Sequence, residues 1–256
     1  MQDKVALVTG AAGGIGAAVV AELGHRGVLV AAVDRDKSRL DDLVAAGARR
    51  GTVVRPYPAD VTDSLEVEHF VETAERELGP VQFLVNCAGV LRMGEVWSFG
   101  DQDWVDTFSV NTTAVFKVSR AVVSRMRERC TGAVVTVASN AASTPRVEMA
   151  AYAASKAAAS MFTKSLGLEV ARYGIRCNVV APGSTETPML SSMWHDASGR
   201  ERTVGGRPEV FRLGIPLGKT ATPQDIAAAV VFLLSDEASH ITLHELTVDG
   251  GATLGA

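Results

Sequence analysis

The sequence is short of several residue types, and each shortage removes a class of protein. Cysteine occurs 3 times in 256 residues, at Cys87, Cys130 and Cys177. The three are scattered and form no CxxC or Cys/His pattern, which argues against a disulfide framework and a structural zinc site. No metal is expected. Aromatic residues make up only 5%, and a net charge of −4 gives no suggestion of a nucleic-acid surface. No apolar run approaches the roughly 20 residues that span a bilayer. Met1-Gln2-Asp3-Lys4 leads directly into Val5-Ala6-Leu7-Val8 without the layout of a secretory signal. A cytoplasmic location is the expectation, with neither nucleic acid nor membrane as partner. What is plentiful is ordinary: 47% hydrophobic and 21% charged residues, the balance of a globular domain near the upper size for one core.

Short β-branched runs alternate with longer Ala-rich amphipathic stretches, the pattern of βαβ units around a parallel sheet. Strands are expected at 5–8, 28–33, 52–57, 83–86, 133–138, 176–181 and 245–248. Each is almost wholly apolar, as in strands covered by helices on both faces. Helices are expected near 15–26, 36–46, 64–78, 101–129, 152–173 and 223–235, with Ser64, Asp101 and the Thr222-Pro223 pair as starting signals. Residues 184–222 are rich in Gly, Arg, Ser, Thr and Pro and read as a lid or substrate loop. No linker divides the chain, so a single domain over 1–256 is expected.

Thr9-Gly10-Ala11-Ala12-Gly13-Gly14-Ile15-Gly16 lies between the first strand and an Ala/Val-rich helix. Glycines there let a pyrophosphate approach backbone N–H groups at a helix N-terminus; a tight turn alone would also use them. Gly10, Gly14, Ile15 and Gly16 are the candidates. Asp34 ends the second strand, where a carboxylate would accept both hydroxyls of an adenosine ribose and repel a 2′-phosphate. That favours NAD, with Arg35 and Arg39 close enough to soften the preference. Asp60 and Val61 would lie beside the adenine, although a turn role for Asp60 is the alternative. Asn86, Ala88 and Gly89 frame a second close approach to the cofactor.

Tyr152-Ala153-Ala154-Ser155-Lys156 opens a long helix, and the spacing of four puts the phenol and the ammonium on one face. A phenol of pKa near 10 is a poor base unless positive charge favours its ionised form. Ser139 ends the fifth strand. Asn111 falls mid-helix, an awkward place for asparagine without a specific partner.

The set T-G-x-x-x-G-x-G, N-x-A-G, Asn111, Ser139, Y-x-x-x-K and Pro182-Gly183 resembles the short-chain dehydrogenase/reductase family over essentially the whole chain. The resemblance implies a Rossmann-type, doubly wound α/β fold with a seven-stranded parallel sheet. Residues 1–90 would be mainly dinucleotide-binding and 91–256 catalytic. It implies a tetrad in which Tyr152 is the acid/base, and Lys156 binds the nicotinamide ribose and lowers the tyrosine pKa. Ser139 would orient the substrate and Asn111 position a water. The family's Asn-Asn-Ala-Gly is Asn-Cys-Ala-Gly here, which makes Cys87 a packing replacement. Pro182 and Gly183 complete the cofactor contacts, and a homotetramer is implied.

Stretches the broad family does not fix narrow the expectation. Gly89-Val90-Leu91-Arg92-Met93-Gly94, Ser139-Asn140-Ala141-Ala142 through Thr144-Pro145-Arg146, and Leu213-Gly214-Ile215-Pro216-Leu217-Gly218-Lys219 resemble the branch that converts dihydro-hydroxy acids to aromatic acids. The expected reaction is NAD-dependent oxidation of 2,3-dihydro-2,3-dihydroxybenzoate, with trans-2,3-dihydro-3-hydroxyanthranilate as alternative. An NADPH-dependent carbonyl or 3-oxoacyl reductase is a further alternative, and a non-catalytic dinucleotide-binding protein the last. A carboxylate substrate calls for a cation, for which Arg146 and then Arg92 are the candidates. Met93, Met189 and Met193 would wall the ring, and Glu148 would meet an ammonium. His195 reads as a surface histidine.

Overall fold

The computed structural model describes residues 1–194 and 196–255; His195 lies outside them. Seven strands form one sheet: β1 (Val5–Thr9), β2 (Leu29–Asp34), β3 (Val54–Pro58), β4 (Val81–Asn86), β5 (Gly132–Val137), β6 (Ile175–Pro182) and β7 (Glu245–Val248). Their order is β3-β2-β1-β4-β5-β6-β7 and every pairing is parallel. The alternation of apolar runs implied this parallel sheet, and the family resemblance implied its Rossmann-type, doubly wound, seven-stranded form.

The period-2 geometry of strands divides the core into two layers. Ala6, Val8, Val30 and Ala32 point to one face, against α1 (Gly14–His25), α2 (Lys37–Arg49) and α9 (Pro223–Leu234). Val5, Leu7, Ala31 and Val33 point to the other, against α3 (Ser64–Leu78), α5 (Ala114–Arg129) and the end of α6 (Ala150–Val170). All five residues of β1 are buried.

Three expectations on helices need correction. The stretch 101–129 is not one α-helix. It runs as α4 (Asp101–Phe108), a π turn over Ser109–Thr113, then α5, with Asn111 at the centre of the wide turn. The cap of α3 is Asp63, which accepts from the Leu65 and Glu66 N–H groups, and not Ser64. Gly100 precedes α4, leaving Asp101 as its first residue. Both acids still suit a helix N-terminus, where their charge meets the positive end of the dipole.

Thr222 caps α9 as expected, with its hydroxyl accepting from the Asp225 N–H and the Asp225 carboxylate accepting from the Thr222 N–H. The segment 184–222 is more ordered than its composition suggested. It holds α7 (Pro188–Ser191) and α8 (Gly199–Gly205), and a parallel bridge from Thr185 to Ala221 ties its two ends together. Among the described residues no helix is long and apolar enough to cross a membrane.

The Thr222 box makes a direct prediction. Thr222→Ala removes one partner of each bond and should destabilise the protein by about 1 kcal/mol, lowering Tm by about 2–4 °C. An unchanged melting curve would show that Pro223 and packing define the helix start without the box.

Candidate active site

Because all strands run one way, their C-terminal ends share one edge, and ligands of open α/β sheets bind there. A cleft of about 940 Å³ opens along that edge, lined by residues that follow β1 through β6. At its dinucleotide end the backbone is packed too closely for side chains. A Cβ on Gly10, whose φ is +64°, would stand 2.7 Å from the Ala88 backbone, and one on Gly14 would stand 2.6 Å from Thr187. One on Gly16 would collide with the Gly10 carbonyl. The N-cap of α1 is Gly13, which offers no side-chain acceptor, so the first-turn N–H groups keep their capacity for an anion. Gly10, Gly14, Ile15 and Gly16 all line the cleft.

Asp34 is held at the end of β2 by the Ala12 N–H on Oδ2 at 3.0 Å and the Asp36 N–H on Oδ1 at 3.1 Å. Asp60 and Val61 line the same end. Asp60 is also a turn residue, its Oδ1 accepting from both the N–H and the hydroxyl of Thr62. Ala88, Gly89, Pro182 and Gly183 line the middle of the cleft. Asn86 does not. Its amide is buried behind the sheet edge, donating to Ser119 at 3.0 Å and Thr136 at 3.4 Å. The strand's alternation explains this: neighbouring positions face opposite ways, and Cys87 supplies cleft wall instead. Burial pushes the Cys87 thiol up to about 12 against the opposing pull of Lys156, so it stays neutral.

Ser139, at the end of β5, accepts from the Ala141 N–H and lines the cleft beside Tyr152 and Lys156 of α6. Tyr152 is 8% exposed and Lys156 5%. The lysine Nζ donates to the Val137 carbonyl at 3.0 Å and lies 6.0 Å from the Tyr152 ring centre. Burial lowers the Lys156 pKa to about 8. Burial also raises the Tyr152 phenol above its ordinary value, and the Ser139 hydroxyl only partly offsets that. The lowering expected from Lys156 is not among the influences on the phenol, and the Cys87 thiolate would add to the rise. Asn111 is fully buried and its side chain is wholly engaged by the protein. It accepts from the Val90 N–H at 2.8 Å, and it donates to the Val90 carbonyl at 2.9 Å and to Ser155 at 3.0 Å. It therefore clamps the cleft wall, and both hydrogens of its side-chain amide are spent within the protein and not on the water that the family implies.

At the substrate end Arg146 lines the cleft, and among the described residues its guanidinium makes one hydrogen bond, to the neighbouring Pro145 carbonyl. Arg92 also lines it but is 52% exposed and faces Asp103 at 3.5 Å, an outward ion pair. Met189 and Met193 form apolar wall, whereas Met93 and the exposed Glu148 lie outside the cleft. Among the lining residues that the sequence did not single out are Ser184 and Arg212. Arginine supplies 19 of the 25 basic residues, so no compositional signal singles out one. Among the described residues no group of three His, Cys, Asp or Glu side chains is placed to hold a metal ion.

A Gly-lined turn, an acid at the end of β2 and a Tyr/Lys/Ser cluster beyond the end of β5 thus line one cleft, the arrangement expected of a dinucleotide-dependent redox site. The chain belongs to the short-chain dehydrogenase family, whose model matches residues 4–198. It is 53% identical over 255 residues to the 2,3-dihydro-2,3-dihydroxybenzoate dehydrogenase of Bacillus subtilis (strain 168), covering 100% of this chain and 98% of that one. It is 41% identical to the vibriobactin-specific 2,3-dihydro-2,3-dihydroxybenzoate dehydrogenase of Vibrio cholerae serotype O1, over 99% and 97% of the two chains. Among solved structures, levodione reductase superposes with a TM-score of 0.93 at 29% identity over the full length of both. The protein is accordingly a nicotinamide-dependent oxidoreductase of this family.

The depressed Lys156 pKa has a thermodynamic consequence. Between about 8 and the unfolded value of 10.5 the unfolded chain holds the proton that the folded chain has lost. Raising pH through that window therefore removes the burial penalty and adds stability, by up to about 3 kcal/mol. Relative to Lys156→Met, the wild type should gain stability between pH 7 and pH 10 in denaturant unfolding. A difference that stays flat over that range would show that the amine does not lose its charge on burial.

Proposed function

We propose that the protein oxidises 2,3-dihydro-2,3-dihydroxybenzoate to 2,3-dihydroxybenzoate with NAD, a step that supplies the catechol acid of a siderophore. The observation that carries this reading is a buried Tyr/Lys/Ser cluster in one cleft with an arginine, in a chain so similar to enzymes named for that reaction. Gly10, Gly14, Ile15 and Gly16 would hold the diphosphate, and Asp34 the adenosine ribose. Asp60 and Val61 would flank the adenine. Ala88, Gly89, Tyr152, Lys156, Pro182 and Gly183 would hold the nicotinamide half. The bound nicotinamide supplies the hydride acceptor and, in its oxidised form, positive charge.

Tyr152, as phenolate, takes the proton of the C3 hydroxyl while the C3 hydrogen departs as hydride. Ser139 donates to the reacting oxygen and holds it beside the phenol. Lys156, anchored on Val137, keeps its ammonium near the phenol and favours the ionised form. The C3 ketone then loses its C2 proton and gains one on oxygen, giving the aromatic catechol. Aromatisation makes the oxidation effectively one-way, which suits the NAD-favouring carboxylate of Asp34. Arg146 accounts for the substrate carboxylate in the cleft, and Arg92, already facing Asp103, is the weaker candidate.

The family resemblance supports a homotetramer, and the exposed apolar residues Phe116 and Leu168 offer surface for it. Three free thiols suit a reducing cytoplasm. The deciding experiment compares reduced-cofactor production from 2,3-dihydro-2,3-dihydroxybenzoate and trans-2,3-dihydro-3-hydroxyanthranilate, each with NAD and NADP. We expect turnover of the benzoate with a clear preference for NAD, and a loss of that preference by about 10–100-fold in Asp34→Ala. Turnover of the anthranilate alone would reassign the substrate, and no turnover of either acid would overturn the reading.

A further inference from the structure

Two arginines that line the substrate end of the cleft without facing an acid come from distant parts of the chain. Arg146 follows β5, on the loop that begins with the Ser139–Asn140 turn. Arg212 belongs to the segment after α8, where Arg207 and Arg212 exchange backbone hydrogen bonds of 2.8 and 3.0 Å. Both line the same cleft, and the charge of Arg146 bears directly on Arg212. Among the described residues neither guanidinium is in an ion pair. Each is partly buried, and burial disfavours the charged form of both.

Two like charges held together in a partly desolvated cleft repel one another unless an anion joins them. The acid whose charge reaches Arg146 is Asp249, and its oxygens are already engaged. It accepts from Asn140 Nδ2, from the Gly251 and Thr253 N–H groups and from the Thr253 hydroxyl. Arg212 is meanwhile held from below, its Nη2 donating to Ser184 Oγ at 3.0 Å, and Ser184 lines the cleft where the segment leaves β6. Two planar donor forks from distant parts of the chain thus line one cleft, the chemistry that suits a carboxylate.

We propose that Arg212 is a second substrate-binding residue, gripping the substrate carboxylate together with Arg146. One guanidinium comes from the catalytic loop and the other from the segment that Ser184 anchors. This rests on the carboxylic-acid reading above and extends it. The carboxylate is then the counter-charge that joins the segment carrying Arg212 to the body of the protein. Specificity for an acid over a neutral diol comes from the pair, and Ser184 acts as a positioning residue.

The test uses the full-length enzyme and the variants Arg212→Gln, Arg212→Lys, Arg146→Gln and the double Gln variant. KM and kcat are measured for 2,3-dihydro-2,3-dihydroxybenzoate. Equilibrium affinity is measured for 2,3-dihydroxybenzoate and for catechol, which lacks the carboxylate. Each Gln substitution should raise KM and weaken 2,3-dihydroxybenzoate by ~10–100-fold, with kcat changed far less and catechol binding unaltered. The Lys variant should recover part of the loss. The double variant should lose less than the product of the single effects, because both groups serve one carboxylate. Wild-type turnover of the acid with an unaffected Arg212→Gln variant would overturn the clamp and leave the reaction standing. Equal weakening of acid and catechol would also overturn it, as the mark of a distorted cleft. A wild type that does not oxidise the acid at all would instead overturn the functional reading beneath it.

Discussion

A parallel sheet covered on both faces by helices can present polar groups only at its strand ends. Here β1 is buried along its whole length, and apolar side chains of alternate strand residues fill two separate layers. Everything chemical is consequently forced to one edge: the glycines after β1, Asp34 after β2, the Cys87–Gly89 turn after β4, Ser139 after β5 and Pro182–Gly183 after β6. Tyr152 and Lys156 reach the same edge from α6, which is held by its buried face and by the bond from Lys156 to the Val137 carbonyl. That bond holds the Lys156 Nζ at the end of β5, 6.0 Å from the Tyr152 ring centre.

Much of this was legible in the sequence, for a physical reason. Strand and helix periods are strong signals in a chain with near-continuous apolar strands, and the glycine, acid and Tyr/Lys positions lie at fixed offsets from those strands. The failures have equally specific causes. Asn86 carries a polar side chain at a strand end, yet the pleat turns it inward, toward Ser119 and Thr136. Asn111 was correctly singled out as anomalous within a helix, but the π turn that accommodates it leaves no trace in hydrophobic periodicity. Arg212 sits in a segment whose composition signals a loop and nothing about which side chain turns inward. Contacts between distant loops, such as Arg212 with Ser184, follow from tertiary packing alone.

The electrostatics of the site also separate protein from ligand contributions. Burial raises Tyr152 and lowers Lys156, so the protein by itself does not hold a phenolate beside an ammonium. The same burial places both groups where added positive charge would act in low dielectric, with more effect than in water. On the proposed function, an oxidised nicotinamide would supply that charge and favour the ionised phenol. Proton removal would then be tied to the oxidative direction that the proposed aromatising substrate requires.

The central claim is that hydrogen leaves C3 of a cyclohexadiene acid and that the acid emerges aromatic. It is tested most directly with 2,3-dihydro-2,3-dihydroxybenzoate carrying deuterium at C3, followed by mass analysis of both products after one conversion. The account predicts that the deuterium is found in the reduced dinucleotide and that the 2,3-dihydroxybenzoate is unlabelled. Deuterium retained in the aromatic acid, or released to solvent without reduced dinucleotide, would contradict it.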